Sequence, residues 1–107
     1  MDVFSAIAEP RRRKVIEILA ANGSCTATQI YEGFEISPQA VSQHLGILRD
    51  AGVVIMEKRA QQHIYRINPD SIEEIEDWTA RMTKLWNRRF DELEKLLERE
   101  QKKNANK

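Results

Sequence analysis

The sequence predicts a mostly α-helical fold with one small β-hairpin, and three observations lead there. Apolar residues recur three and four apart in four short stretches before Gly52 and in one long stretch after Pro69. Between those limits, two runs rich in β-branched and aromatic residues flank a short polar segment, the pattern of paired strands. Pro10, Gly23, Gly33, Pro38, Gly52 and Pro69 stand at the joins.

The first helix covers Asp2 to Ala8 and turns Phe4, Ile7 and Ala8 to one side. Pro10 opens the second, Arg11 to Ala21, whose buried face is Val15, Ile16, Ile18 and Leu19. Asn22-Gly23 ends it, glycine being the residue that accepts a left-handed cap. A third helix begins at Thr26 or Ala27 and runs through Ile30 and Tyr31 to Gly33, and Gly33-Phe34-Glu35-Ile36 then turns the chain.

The fourth helix, Ser37 to Gly52, organises the rest. Ser37 suits its cap and Pro38 its first position, where no backbone donor is needed. Val41, Leu45 and Leu48 form an apolar face. The opposite face carries Gln39, Ser42, Gln43 and the bare backbone of Gly46, with no charge and no large apolar group. Short amides and hydroxyls are what a helix needs to meet base edges in a DNA major groove, where Gln pairs bidentately with adenine. The alternative is a solvated polar face that happens to lack charge. Two short helices, a tight glycine-containing turn and a polar-faced second helix describe a helix-turn-helix.

After Gly52 the pattern becomes extended. Val53 to Arg59 and His63 to Ile67 are the strands, with Ala60-Gln61-Gln62 between them. A hairpin directly after a recognition-type helix is a wing, so the architecture expected is a winged helix-turn-helix of about five helices plus a two-stranded wing. Lys58, Arg59, Gln61, Gln62 and His63 make its tip polar without an acid among them, whereas a hairpin that only covered the core would not need this. Tyr65 and Ile67 pack the hairpin onto the core.

Asn68-Pro69-Asp70 breaks the chain, and Asp70 or Ser71 caps a last helix reaching to about Glu100. Ile72, Ile75, Trp78, Met82, Leu85, Trp86, Phe90, Leu93, Leu96 and Leu97 fall three or four apart along it. That stripe is too long and too aromatic for so small a domain to absorb. It reads as a dimerisation helix, and the interface expected comprises Phe4 and Ile7 of the first helix with Ile75, Trp78, Met82, Leu85, Trp86 and Leu93 of the last. Two-fold symmetry would set two recognition helices roughly 34 Å apart on a partly palindromic DNA site. Residues 1–100 form one DNA-binding and dimerisation domain, and the polar tail 101–107 frays.

Composition narrows the class further. The 107 residues suit a single domain, and their 32% charged and 41% apolar content is an ordinary soluble balance. No apolar run has the length of a membrane span, and the N-terminus lacks a basic-then-apolar signal pattern. One cysteine, Cys25, excludes an intrachain disulfide and fits a reducing cytoplasm. Net charge is zero, but residues 1–66 gather most of their bases into Arg11-Arg12-Arg13-Lys14 and Lys58-Arg59, with Arg49 and Arg66 single. Two basic clusters flanking an uncharged polar helix make a local footprint for phosphate, with weak long-range steering and a modest salt slope. No paired carboxylates in a pocket, Ser-His-Asp arrangement or glycine-rich phosphate loop is apparent, so an enzyme is not expected.

The run AVSQHLGILRDAGVV resembles the signature of ArsR/SmtB-type winged-helix repressors, in which Ser-x-His-Leu-x-x-Leu leads to Ala-Gly and an apolar strand. AIAEPRRRKVIEILA is similar to the family's Leu-Ala-Asp-Pro-Thr-Arg-Arg opening, with Glu9 and Arg11 where Asp and Thr are common. YRINP after the wing and LWNRRFDELEKLLE in the last helix resemble the autorepressor-like branch without metal-site motifs. The resemblance covers nearly all of residues 3–98. It implies a homodimeric bacterial transcription factor, usually a repressor released from its operator by a signal. Metal-sensing members carry Cys-x-Cys on the third helix, or His and acid ligands on the last. Here the third helix has only Cys25 near it, the last has no histidine, and His44 and His63 lie on the recognition helix and wing. Zinc takes four N, S or O ligands, so no metal site and no cofactor are expected.

The expected DNA-binding set is therefore Ser37, Gln39, Ala40, Ser42, Gln43 and His44 on the recognition helix, Arg12 and Arg13 on the second, and Lys58, Arg59, Gln62 and His63 on the wing. Several of these have a second use. Ser37 caps its helix, and its hydroxyl or the first amides also suit a phosphate. His44 either bonds a phosphate or braces its helix. Arg11 to Arg13 open a helix against its dipole, which points to an outside anion, or they are surface charges paired with Glu9 or Glu17. Cys25, as an exposed thiol near a helix start, would be an oxidation sensor, or it is simply a small residue. The leading function is a sequence-specific repressor of its own or an adjacent operon. The competing classes are a winged-helix module for protein–protein contact and the same repressor with Cys25 as a redox switch.

Overall fold

The computed structural model describes residues 1–105 as eight elements: α1 (Val3–Ala8), α2 (Pro10–Asn22), β1 (Ser24–Thr26), α3 (Ala27–Glu32), α4 (Pro38–Asp50), β2 (Val54–Arg59), β3 (Gln62–Ile67) and α5 (Pro69–Ala105). The five helices and the hairpin are those the sequence predicts, and a third short strand joins the hairpin. The chain divides into two compact units, one spanning Met1–Ile75 and a second that begins at Glu76.

Side-chain caps start most of the helices of the first unit. Asp2 accepts from the Ser5 amide at 2.7 Å and Glu9 from the Arg12 amide at 3.0 Å. Thr26 and Gln29 form a reciprocal capping box, and Ser37 Oγ accepts from the Ala40 amide at 3.2 Å. The caps at Glu9 and Ser37 are each followed by a proline in the first turn, where its missing donor costs nothing. The last helix starts differently from expectation. Asn68, and neither Asp70 nor Ser71, supplies the cap, its side-chain oxygen accepting from the Asp70 amide at 3.1 Å. Ser71 is instead buried, and its hydroxyl donates to the carbonyls of Asn68 and Val53.

The C-terminus of α4 fixes where the wing begins. Gly52 adopts a φ of 78° that favours glycine, its amide bonds Arg49 O, and the Val53 amide bonds Leu48 O at 2.9 Å. This is the Schellman arrangement, in which the residue after the glycine packs on the last turn of the helix. Val53 and Leu48 are both fully buried. The chain thus leaves α4 with its wing already aimed.

The sheet is antiparallel with order β1-β3-β2. β2 and β3 pair from Val54↔Ile67 to Arg59↔Gln62, so the turn is the two residues Ala60-Gln61 rather than three. Ala60 takes a φ of 53°, a left-handed conformation that costs an alanine about 1–2 kcal/mol. β1 pairs with the other edge of β3, Cys25 opposite Tyr65. Ser24–Thr26 is too short to show alternation, and its partner strand lies some forty residues on, which is why the sequence reads it as a loop.

The core of the first unit is Val3, Ala6, Val15, Leu19, Cys25, Ile30, Val41, Leu45, Leu48, Val53, Val54 and Tyr65, with Ile7, Ile16, Ile18, Ile67 and Ile75 packed around it. In the second unit α5 continues through the first five tail residues to Ala105, beyond the stop expected near Glu100 and in place of a frayed segment. The last two tail residues lie outside the described residues. Among the described residues no helix is long and apolar enough to cross a membrane.

Candidate nucleic-acid interface

The α3–turn–α4 unit is held by burial on one side only. Val41 and Leu45 are 1% exposed and Leu48 is fully buried, so the orientation of α4 about its own axis is fixed. Gln39, Ser42 and Gln43 are consequently exposed on the opposite side, and the half-buried Ala40, His44 and Gly46 flank them. As far as Gly46 the outward surface is a set of amides, a hydroxyl and bare backbone, which donates and accepts without carrying charge, and in the last turn the exposed Arg49 and Asp50 pair at 3.6 Å. In the turn, Gly33 has a packing reason: a Cβ there would lie 3.0 Å from Ile18 Cδ1 on α2.

The basic cluster on α2 divides. Arg11 and Arg13 are exposed. Arg12 is turned inward, where its Nε donates to Ala6 O at the end of α1 and its Nη2 reaches Ser5 O at 3.5 Å. Its Nη1 lies 3.4 Å from Nδ1 of His44, which accepts when the ring carries its proton on Nε2. Glu9 completes the cluster, with its carboxylate 4.0 Å from His44 Nδ1. Desolvation works to raise the Glu9 carboxyl, but the Arg12 and Arg11 amides and the nearby His44 and Arg12 side chains outweigh it and hold it low. The anion that the start of α2 requires is therefore supplied from within, by Glu9, and Arg12 bridges α1 to the recognition helix. His44 is thereby tied to Arg12 and Glu9 at the start of α2. Sequence spacing could not reveal this, because the carbonyls that capture Arg12 carry no residue-type signal.

On the wing, Lys58, Arg59, Gln62 and His63 are all exposed. Their register separates them. Lys58 faces His63 directly, and both share the face of Met56 and Tyr65. Arg59 faces Gln62 on the other side, which also carries the Arg66–Glu57 ion pair at 3.4 Å. The four candidates thus lie two to a face and meet a common partner only across the tip.

Of the dimerisation candidates in the first unit, Phe4 is half-buried, and Ile7 and Ile75 are half-buried against the core. In the second, Trp78, Met82, Leu85, Trp86 and Leu93 are 45%, 38%, 52%, 71% and 50% exposed. Cys25 differs from expectation: it lies on β1 rather than free before a helix, is 5% exposed, and burial pushes its thiol up. That opposes thiolate formation and oxidation sensing. Cys25, His44 and His63 sit on three separate elements, and among the described residues no three His, Cys, Asp or Glu side chains could hold a metal ion.

The model of the family described as bacterial regulatory protein, arsR family, matches residues 9–55. The chain is 36% identical over 77 residues to the transcriptional repressor SdpR of Bacillus subtilis, covering 72% of this chain and 84% of that one. It is 28% identical to the arsenic resistance transcriptional regulator ArsR1 of Pseudomonas putida over 77% of this chain and 61% of that one. A crystal structure of an ArsR family transcriptional regulator superposes with a TM-score of 0.72 at 26% identity, covering 79% of this chain and 87% of that one.

Proposed function

This chain belongs to the ArsR family of bacterial regulatory proteins, and from that premise we propose that it is a homodimeric, sequence-specific repressor of its own or an adjacent operon. The observation that carries this reading is the outward face of α4. A helix locked by Val41, Leu45 and Leu48 presents the uncharged hydrogen-bonding groups of Gln39, Ser42 and Gln43, with the exposed Arg49–Asp50 ion pair at its C-terminal end, beside a wing whose tip carries Lys58 and Arg59. Gln39, Ser42 and Gln43 take base edges, and Ala40 sits beside them against the groove. Ser37 and the first amides of α4 take a phosphate, as do Arg13 and the wing residues Lys58, Arg59, Gln62 and His63. Arg12 and His44 act by holding α4 in place.

In this reading α1 and the α5 stripe form the dimer interface, and residues 1–100 work as one DNA-binding and dimerisation domain in the cytoplasm, with no catalysis. The operator is partly palindromic, its half-sites about one helical turn apart. A metal or arsenic signal does not suit these residues, since thiophilic ions are held by several thiolates and this chain has one cysteine.

Anisotropy titrations of Gln43→Ala and Arg59→Ala against the DNA upstream of the chain's own coding region test the assignment. Gln43→Ala loses about 1–3 kcal/mol and relaxes preference at one position, while Arg59→Ala weakens all duplexes alike and lowers the salt slope by about 1. Unchanged binding in both variants would point instead to a winged-helix module for protein partners.

A further inference from the structure

Nothing inside the protein accounts for Gly46. Gly23 and Gly52 take positive φ values at helix ends, and Gly33 clears Ile18. Gly46 lies well inside the 13-residue α4 without a positive φ, and a Cβ built on it meets nothing within 4 Å. An interior helical glycine weakens its helix relative to alanine, so the fold alone would favour a side chain there. Gly46 follows Gln39, Ser42 and Gln43 at spacings of seven, four and three, which places it on their outward face.

We propose that Gly46 is the point of closest approach between α4 and DNA, where bare helix backbone rests against the wall of the major groove. The inference depends on α4 being the DNA-reading helix, and it adds how deeply that helix sits. The face leading to Gly46 suits a duplex rather than an apolar protein surface, because it offers amides and a hydroxyl and no large apolar group, and the acid that follows it, Asp50, is paired with Arg49 at 3.6 Å. Close approach at Gly46 also sets the reach of its neighbours. A methyl group adds about 1.5 Å of carbon–carbon bond. A lift of about 1 Å would carry the hydrogen bonds of Gln39 and Gln43 past their useful range of about 3.2 Å. Gly46 is thus a specificity-determining residue although it has no side chain with which to read a base.

The test is Gly46→Ala and Gly46→Lys in the full chain, followed by thermal unfolding and by anisotropy on a duplex that the wild-type chain selects from a random-sequence pool. The alanine variant should unfold about 2–5 °C higher while binding the selected duplex at least about ten-fold more weakly. The lysine variant should also bind more weakly, although a cation merely near phosphates would tighten binding. Wild-type affinity in the alanine variant, tighter binding in the lysine variant, or a lower melting temperature for the alanine variant would each overturn the inference. A wild-type chain that selects no duplex would overturn the reading of α4 itself, a result distinct from selection followed by equal binding of the variants.

Discussion

The two compact units use the same apolar periodicity to opposite ends. In Met1–Ile75 the recurring apolar positions of α2 and α4 close on one another and on the sheet, leaving Val15, Leu19, Val41, Leu45 and Leu48 at most 1% exposed. In the unit that begins at Glu76 the same spacing leaves Leu85, Phe90, Leu93, Leu96 and Leu97 each about half exposed and Trp86 71% exposed. A contiguous apolar stripe of this size is unusual on a surface that meets only water. The first unit satisfies its own hydrophobic pattern and spends its outward face on polar groups. The second presents a pattern that a second copy of the same helix would complete, as an isologous two-fold contact requires.

The largest effect expected is on that stripe. Leu85→Glu with Leu93→Glu should raise the self-association constant for dissociation at least about 100-fold, since each leucine gives up about 1.5–3 kcal/mol of burial. Sedimentation velocity reads this, and unaltered sedimentation would mean that the stripe serves another purpose. In the first unit, Arg12→Met should lower stability by about 1–3 kcal/mol by freeing the Ala6 and Ser5 carbonyls and His44. Its salt slope on DNA should match wild type, whereas Arg13→Met should lower that slope by about 1. A lowered slope in the Arg12 variant would put its guanidinium on phosphate. Ala60→Gly should stabilise the wing by up to about 1 kcal/mol, because glycine accepts the φ of 53° without strain. Denaturant unfolding that shows a loss would mean the turn relaxes in solution.

The smallest effect concerns Cys25. Its thiol is pushed up by burial, so the neutral form is favoured in the folded chain. Its contribution is complete below the ordinary thiol value of about 8.5 and is lost as pH rises through the higher folded value. Cys25→Ala should flatten the alkaline side of the stability curve, and the wild-type thiol should resist a disulfide reagent at pH 7 until denaturant is added. Fast labelling of the native chain would restore the redox-switch reading.

Wherever local chemistry decides structure, the sequence was a good guide. Ser37-Pro38 announced α4, Gly52 its end, and the spacing of Val41, Leu45 and Leu48 told which side of α4 faces out. The features it hid depend on distant backbone. β1 exists because β3 returns to pair with it, and Cys25 is buried for the same reason. Arg12 stood within a basic run like its neighbours, and only the carbonyls of α1 single it out. Asn68 took the capping role from Asp70 and Ser71 because Ser71 is drawn inward to Val53. Ala60 gave no sign of a tight turn because residue type at that position argues against the conformation it adopts.

The proposed function turns on Gln39, Ser42 and Gln43 of α4 reading DNA in a two-fold assembly. Selection of duplexes from a random pool by the full chain, at two salt concentrations, tests it most directly. The expected result is enrichment of two inverted half-sites with centres about one helical turn, roughly 10–10.5 base pairs, apart. A pool that yields no enriched sequence, or binding that disappears equally on scrambled competitor, would contradict it.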